Sequence, residues 1–227
     1  MTDALHAALA LQAWVSPAYP VGGYAYSHAL EWAVERASVS GRETLTAWLK
    51  DNLLRGSGWN DAVLFAESYR RCICNPAAVA EIAELAAAMA GPAELRRESL
   101  QQGRAFLDVT RKAWPHAALE QAAGAIGEDT AYPVCFAAAA AAHGCDLAAA
   151  LEAYIFALAA NWISAAVRLN VVGQTAAQEI AAGLAGAIAD LAARACASSL
   201  DDLGGCAFLN EIASFKHEEQ YSRLFRS

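Results

Sequence analysis

The chain has 227 residues, 57% hydrophobic and 18% charged, and its Lys+Arg 16 against Asp+Glu 24 give a formal net charge of −8. A chain of this length buries roughly 70 to 75% of its unfolded surface, so it builds a core without staples, and its composition excludes disorder, collagen and a disulfide miniprotein. The acidic balance argues against a nucleic-acid sleeve or a polybasic membrane anchor.

Abundant alanine, few β-branched alternations and long i, i+3, i+4 patterns predict an all-α chain, a bundle of about nine or ten helices in one domain spanning residues 1–227. Met1 to Asp3 carries no base, so no secretory n-region opens the sequence, and the expectation is a reducing cytoplasm with free thiols. Breakers then divide the chain at Ser16 to Gly23, Ser38 to Gly41, Gly56 to Gly58, Asn75-Pro76, Gly91-Pro92, Trp114-Pro115, Tyr132-Pro133, Gly144, Gly173 and Asp201 to Gly205. Ser40 is the expected start signal for the helix through Thr44 to Leu54, and Asp146 for the one that follows it.

From Asp146 to Val172 the apolar positions Leu147, Leu151, Tyr154, Ile155, Leu158, Trp162, Ala165 and Leu169 leave almost no polar face, as expected of the helix at the centre of a bundle. Its uncharged run, Ala153 to Val167, is shorter than the about 20 residues a membrane span needs, so it reads as a core helix. Arg168 follows near the helix end, where exposed carbonyls favour a cation. In Ala176 to Cys196, Gly183 and Gly186 predict a close approach to a neighbouring helix.

Residues that could carry chemistry are sparse. Cys72 and Cys74, two apart, point about 200° from each other on a helix and can share an ion only if the helix has already ended. His143-Gly144-Cys145 reads as a helix C-cap with Gly144 left-handed. The histidines at 6, 28, 116, 143 and 217 lack ligand spacing, and His217-Glu218-Glu219 reads as a solvated face. Asp201-Asp202 raises a helical magnesium-dependent prenyl-diphosphate enzyme, but Gly205 stands where its third aspartate belongs. Ser27, His28 and Glu31 name a hydrolase triad on side chains that diverge along a helix, with no nucleophile elbow. No catalytic residue, metal ligand or cofactor is assigned.

Two segments are odd. Residues 16–32, SPAYPVGGYAYSHALEW, set prolines, paired glycines and the tyrosines Tyr19, Tyr24 and Tyr26 between apolar helices, a tightly specified turn bearing an interface residue type. Residues 217–227, HEEQYSRLFRS, place Tyr221, Leu224 and Phe225 between arginines where a chain end is usually small and polar. Such a tail must be buried, either on the protein's own body or on a partner.

Both segments resemble signatures of the urease accessory protein UreF family: S-P-A-x-P-V-G-G-[FY]-x-[YH]-S-x-x-L-E at Ser16 to Glu31, and H-E-x-x-Y-S-R-L-[FY]-x-S at His217 to Ser227. Ser164 to Thr175 is similar to S-A-A-V-R-L-x-P-L-G-Q-T, and Glu98 to Leu107 to a further family block. There are departures. Ala131 and Ala137 replace the histidine and glycine of H-x-P-V-x-F-G, Ala29 replaces a glycine before L-E, and Ala176-Ala177 replaces D-G; the glycine changes are expected to sit inside helices.

The resemblance implies a non-catalytic scaffold in the nickel-dependent maturation of urease, an all-helical homodimer that binds the accessory protein UreD (UreH), recruits the GTPase UreG, which carries the nickel, and acts on urease apoprotein. It implies partner-binding positions at Pro17, Pro20, Gly22, Gly23, Tyr24, Ser27 and Glu31, at Arg168 and Gln174, and at His217, Glu218, Tyr221, Ser222, Arg223, Leu224 and Phe225. Tyr24 and Arg223 would face the GTPase and organise the dimer, and within the partner-binding tail of residues 206–227 the stretch Lys216 to Ser227 would meet UreD and become ordered there. The magnesium enzyme on Asp201 and Asp202 and a metal or redox carrier on Cys72 and Cys74 stand as the alternatives.

Overall fold

The computed structural model describes residues 2–89, 91–128 and 130–227. Among these the backbone is helix, turn and loop, without a strand. The α-helices run α1 Thr2–Trp14, α2 Leu30–Glu35, α3 Arg42–Arg55, α4 Ser57–Cys74, α5 Ala80–Met89, α6 Ala93–Ala113, α7 Ala117–Ile126, α8 Tyr132–Ala142, α9 Leu147–Arg168, α10 Gln174–Cys196 and α11 Phe208–His217. Short 3-10 turns at Gly23–Ala25, Pro76–Val79 and Leu200–Asp202 join them.

The all-α reading holds, and most boundaries fall at the breakers. Asp146 caps α9, its carboxylate accepting the Ala149 N–H at 3.0 Å, and Gly144 is left-handed at φ 65. The start of α3 differs from expectation. The cap comes from inside the helix, where the Thr44 hydroxyl accepts the amides of Ser40 and Gly41 at 3.0 and 3.1 Å.

Helix α9 lies in the middle of the bundle against α4, α8 and α10. It shares that place with α8, whose residues from Tyr132 to Ala140 are all buried. A run of alanine gives α8 a thin profile, so α4 and α6 pack closely on it. Trp14, Phe65, Phe106, Phe136 and Tyr154 complete the core, with ring centroids of neighbouring pairs 4.9 to 5.9 Å apart, the offset and edge contacts that aromatic quadrupoles prefer. At 22 residues α9 is, among the described residues, the one helix long and apolar enough to cross a membrane, and half of that apolar stretch is buried inside the bundle.

Two expectations fail. Gly183 and Gly186 face open space, with nothing within 4 Å of an added Cβ, so α10 packs through Ile180, Leu184, Ile188 and Leu191 instead. The close approach is at Gly103 of α6, where a Cβ would stand 2.2 Å from the Thr130 carbonyl oxygen and 2.9 Å from the Tyr132 nitrogen. Ala29 is likewise outside a helix interior. It is the N-cap of α2 at φ 65, after His28 at φ 55, two L residues in backbone territory that favours glycine.

Candidate functional site

The segment after α1 is shaped by its prolines and glycines. Tyr19 turns back to Ser16 through its amide at 2.9 Å and anchors its hydroxyl on Thr110 of α6 at 2.7 Å. Gly22 takes φ 75, which lets the chain enter the 3-10 turn, and Gly23 lies against Asn161 of α9, whose side chain donates to the Gly23 carbonyl at 3.0 Å. Tyr24 is thereby held outward, 75% exposed. Pro17, Pro20, Gly22 and Gly23 rim a groove of about 350 Å³ with Trp14 and Leu158 in its walls.

The tail docks on this turn. Arg226 N donates to the Ala25 carbonyl at 2.9 Å and Ser27 N to the Ser227 carbonyl at 3.1 Å. The Ser27 hydroxyl also donates to that carbonyl, and it accepts the Glu31 amide at 3.2 Å. Arg168 clamps both pieces. Its guanidinium donates to the Tyr24 carbonyl and lies over the Phe225 ring, 4.3 Å from the centroid. Phe225 is thus 3% exposed, and partial burial lowers the arginine's pKa.

Beneath the tail is a buried charged cluster. Glu31 of α2 accepts the amides of Leu224 at 2.7 Å and Phe225 at 2.9 Å. Glu94 of α6 accepts from the Arg223 guanidinium at 2.6 Å. His217, 0% exposed, stands between them, Nδ1 2.6 Å from Glu94 and Nε2 3.2 Å from Glu31. One turn along α6, Glu98 accepts the Ser227 hydroxyl at 2.6 Å and lies 3.4 Å from His28 Nδ1.

Four of the expected contact residues, Ser27, Glu31, His217 and Phe225, are buried in this single chain, where they join the turn and the tail to the body of the protein. The tail also rests on its own body, one of the two fates open to it, leaving Glu218, Tyr221, Ser222 and Leu224 exposed and Arg223 partly so. Gln174 opens α10 with its side chain exposed, outside the hydrogen bonds joining turn and tail.

Sequence reasoning missed Glu94 altogether and met Glu98 only as the start of a family block, with no role assigned to it. The available signal is that residues 94, 98, 102, 106 and 110 form one stripe of α6 containing Phe106, and all are buried. A second, half-buried polar group was also missed. Asp61 accepts from Tyr154 Oη at 2.9 Å, and burial pushes its carboxyl up to about 6.

The alternative chemistries fare differently. Both cysteines of the Cys72 pair are inside α4, Cys72 buried with its thiol pushed up to about 12 and Cys74 exposed, so the two point apart. Asp202 is spent on a cap, accepting the Ser199 amide at 2.9 Å. Ser27, His28 and Glu31 form no triad, since His28 Nε2 pairs with Ser57 at 2.8 Å.

The UreF family model matches residues 39–185. Urease accessory protein UreF of Azorhizobium caulinodans is 47% identical over 227 residues, 100% of this chain and 98% of that protein. Those of Xanthobacter autotrophicus, at 47% over 99% of this chain and 93% of theirs, and Methylobacterium radiotolerans, at 48% over 97% and 96%, agree. The chain belongs to the UreF family of urease accessory proteins. Turn and tail flank the stretch matched by the UreF model, and the full-length relatives extend the likeness across both.

Proposed function

We propose that this chain is a non-catalytic UreF scaffold for nickel insertion into urease apoprotein, working in the cytoplasm as a homodimer with UreD (UreH) and the GTPase UreG. The observation that carries the reading is the joining of turn and tail. Arg168 ties the Tyr24 carbonyl to the Phe225 ring, and the joined surface presents Tyr24 at 75% exposure, Leu224 at 66% and a fully exposed Tyr221. Exposed aromatic and aliphatic side chains on a rigid support are the usual anchors of a protein interface. In this reading residues 206–227 serve the partners from a docked position, and Tyr24 with Arg223 borders the GTPase surface.

Co-expression with UreD, UreG and urease followed by size-exclusion with mass measurement tests the assignment. Tyr24→Ala and Tyr221→Ala should leave circular dichroism and unfolding midpoint unchanged and lose partner from the complex. Full retention of every partner by both variants refutes the assigned surface. Removing residues 216–227 outright is a poorer test, because it also strips partners from buried Glu31 and Glu94.

A further inference from the structure

We propose that the outer face of α6 beside the turn, centred on Arg97 and Arg226, is a docking groove for an acidic segment of a partner protein. Helix α6 sorts its charges by face. Its carboxylates Glu94 and Glu98 are each 5% exposed and turned inward, Glu94 accepting from Arg223 and Glu98 from the Ser227 hydroxyl. Arg96 and Arg97, between those two in sequence, are exposed. Arg226 joins them on the outside, its amide bound to the Ala25 carbonyl and its side chain exposed. A chain of net charge −8 thus carries a local positive surface with the neighbouring carboxylates buried beneath it.

The two arginines share one site. A groove of about 260 Å³ is lined by Pro20, Tyr24, Tyr26, Gln101 and Arg226, and Gln101 stands one turn from Arg97 on the same face of α6. Burial raises the Tyr26 pKa while Arg226 and Arg97 both act to lower it, which puts both cations within electrostatic reach of one hydroxyl. Among the described residues neither arginine is in an ion pair, and none of those lining the groove is acidic. The patch has an edge. Arg104, the next turn of α6, lines a separate hollow with Asp108 and Glu128.

This chemistry selects the occupant. Guanidinium groups take carboxylates in planar, paired hydrogen bonds, and Pro20 with the exposed Tyr24 ring offers apolar contact beside them. A long polyanion would run from the groove onto an acidic body, whereas a short carboxylate-bearing segment stays within it. The binding belongs to the isolated chain and does not depend on which urease partners assemble with it.

Fluorescence anisotropy of a labelled hexaglutamate peptide with the isolated full chain, in about 100 mM salt, tests the groove. Hexaglutamate should bind and hexaglutamine should not. Arg97→Gln combined with Arg226→Gln should weaken binding about tenfold with circular dichroism unchanged, while Arg42→Gln with Lys50→Gln, the same change of charge on α3, should leave it as it was. Absence of hexaglutamate binding, or equal loss in both pairs, overturns the proposal; so does tighter binding of a six-residue thymidylate strand, which would make the site one for nucleic acid. Should the double variant fail to fold, phenylglyoxal labelling of the natural chain provides the second reading. Hexaglutamate should shield Arg97 and Arg226 from the reagent, and undiminished labelling of both counts against the groove.

Discussion

Single side chains decide how the tail is held. Glu31 satisfies two backbone amides and one imidazole nitrogen at once, and removing one member of such a buried set leaves the others uncompensated. Glu31→Ala should therefore lower unfolding free energy by about 3 kcal/mol or more, measured in urea. Asp61 acts in the opposite sense. Its folded carboxyl is raised from 3.8 to about 6, so the native state holds the proton longer, and this contribution is present in acid and lost as pH rises through that interval. Asp61→Asn, which keeps an acceptor for Tyr154, should stabilise the protein by about 1 to 2 kcal/mol at pH 7.5 and leave it unchanged near pH 4, by thermal melts at both. Neither role was visible in the sequence. Glu31 entered only through a family motif and a triad reading that fails, and Asp61 not at all, since their partners lie 193 and 93 residues away.

At the scale of elements, the joints between helices were readable and the faces less so. Gly144 and Asp146 act through backbone geometry and capping within a few residues, and both stand where local rules place them. Close packing is different. Gly183 and Gly186 look like a helix seam yet face solvent, whereas Gly103, in an unremarked helix interior, lies under the chain at 130–132. Gly103→Ala gains helix propensity, worth about 1 kcal/mol, and must push that backbone away, at a typical overpacking cost of about 1 to 3 kcal/mol or more. The second effect wins at a 2.2 Å contact, and the expected result is a lower unfolding midpoint; an unchanged or higher one would show that residues 130–132 yield freely.

For the whole molecule, the question is whether the tail belongs to the folded unit. Phe225 is 3% exposed and packs against the same core as α9 and α4. Phe208, on α11, is 75% exposed. Phe225→Ala should cost about 3 kcal/mol of global stability, and Phe208→Ser should stay within about 0.5 kcal/mol. A cooperative loss with Phe225→Ala, read by far-ultraviolet dichroism, would establish the tail as part of the unit; a local change seen only by cleavage at Arg223 would separate them.

The amino-acid sequence alone determined that this protein is helical, where its helices break, and which two segments depart from ordinary turn and tail composition. Those properties follow from propensity, periodicity and capping, which act over a few residues. Only the tertiary structure decided that the two segments meet, that Arg168 clamps them, and that Glu31, Glu94 and His217 are buried between them. A charged side chain is buried only when its partners arrive from elsewhere in the fold, and no local pattern encodes an arrival from across the chain.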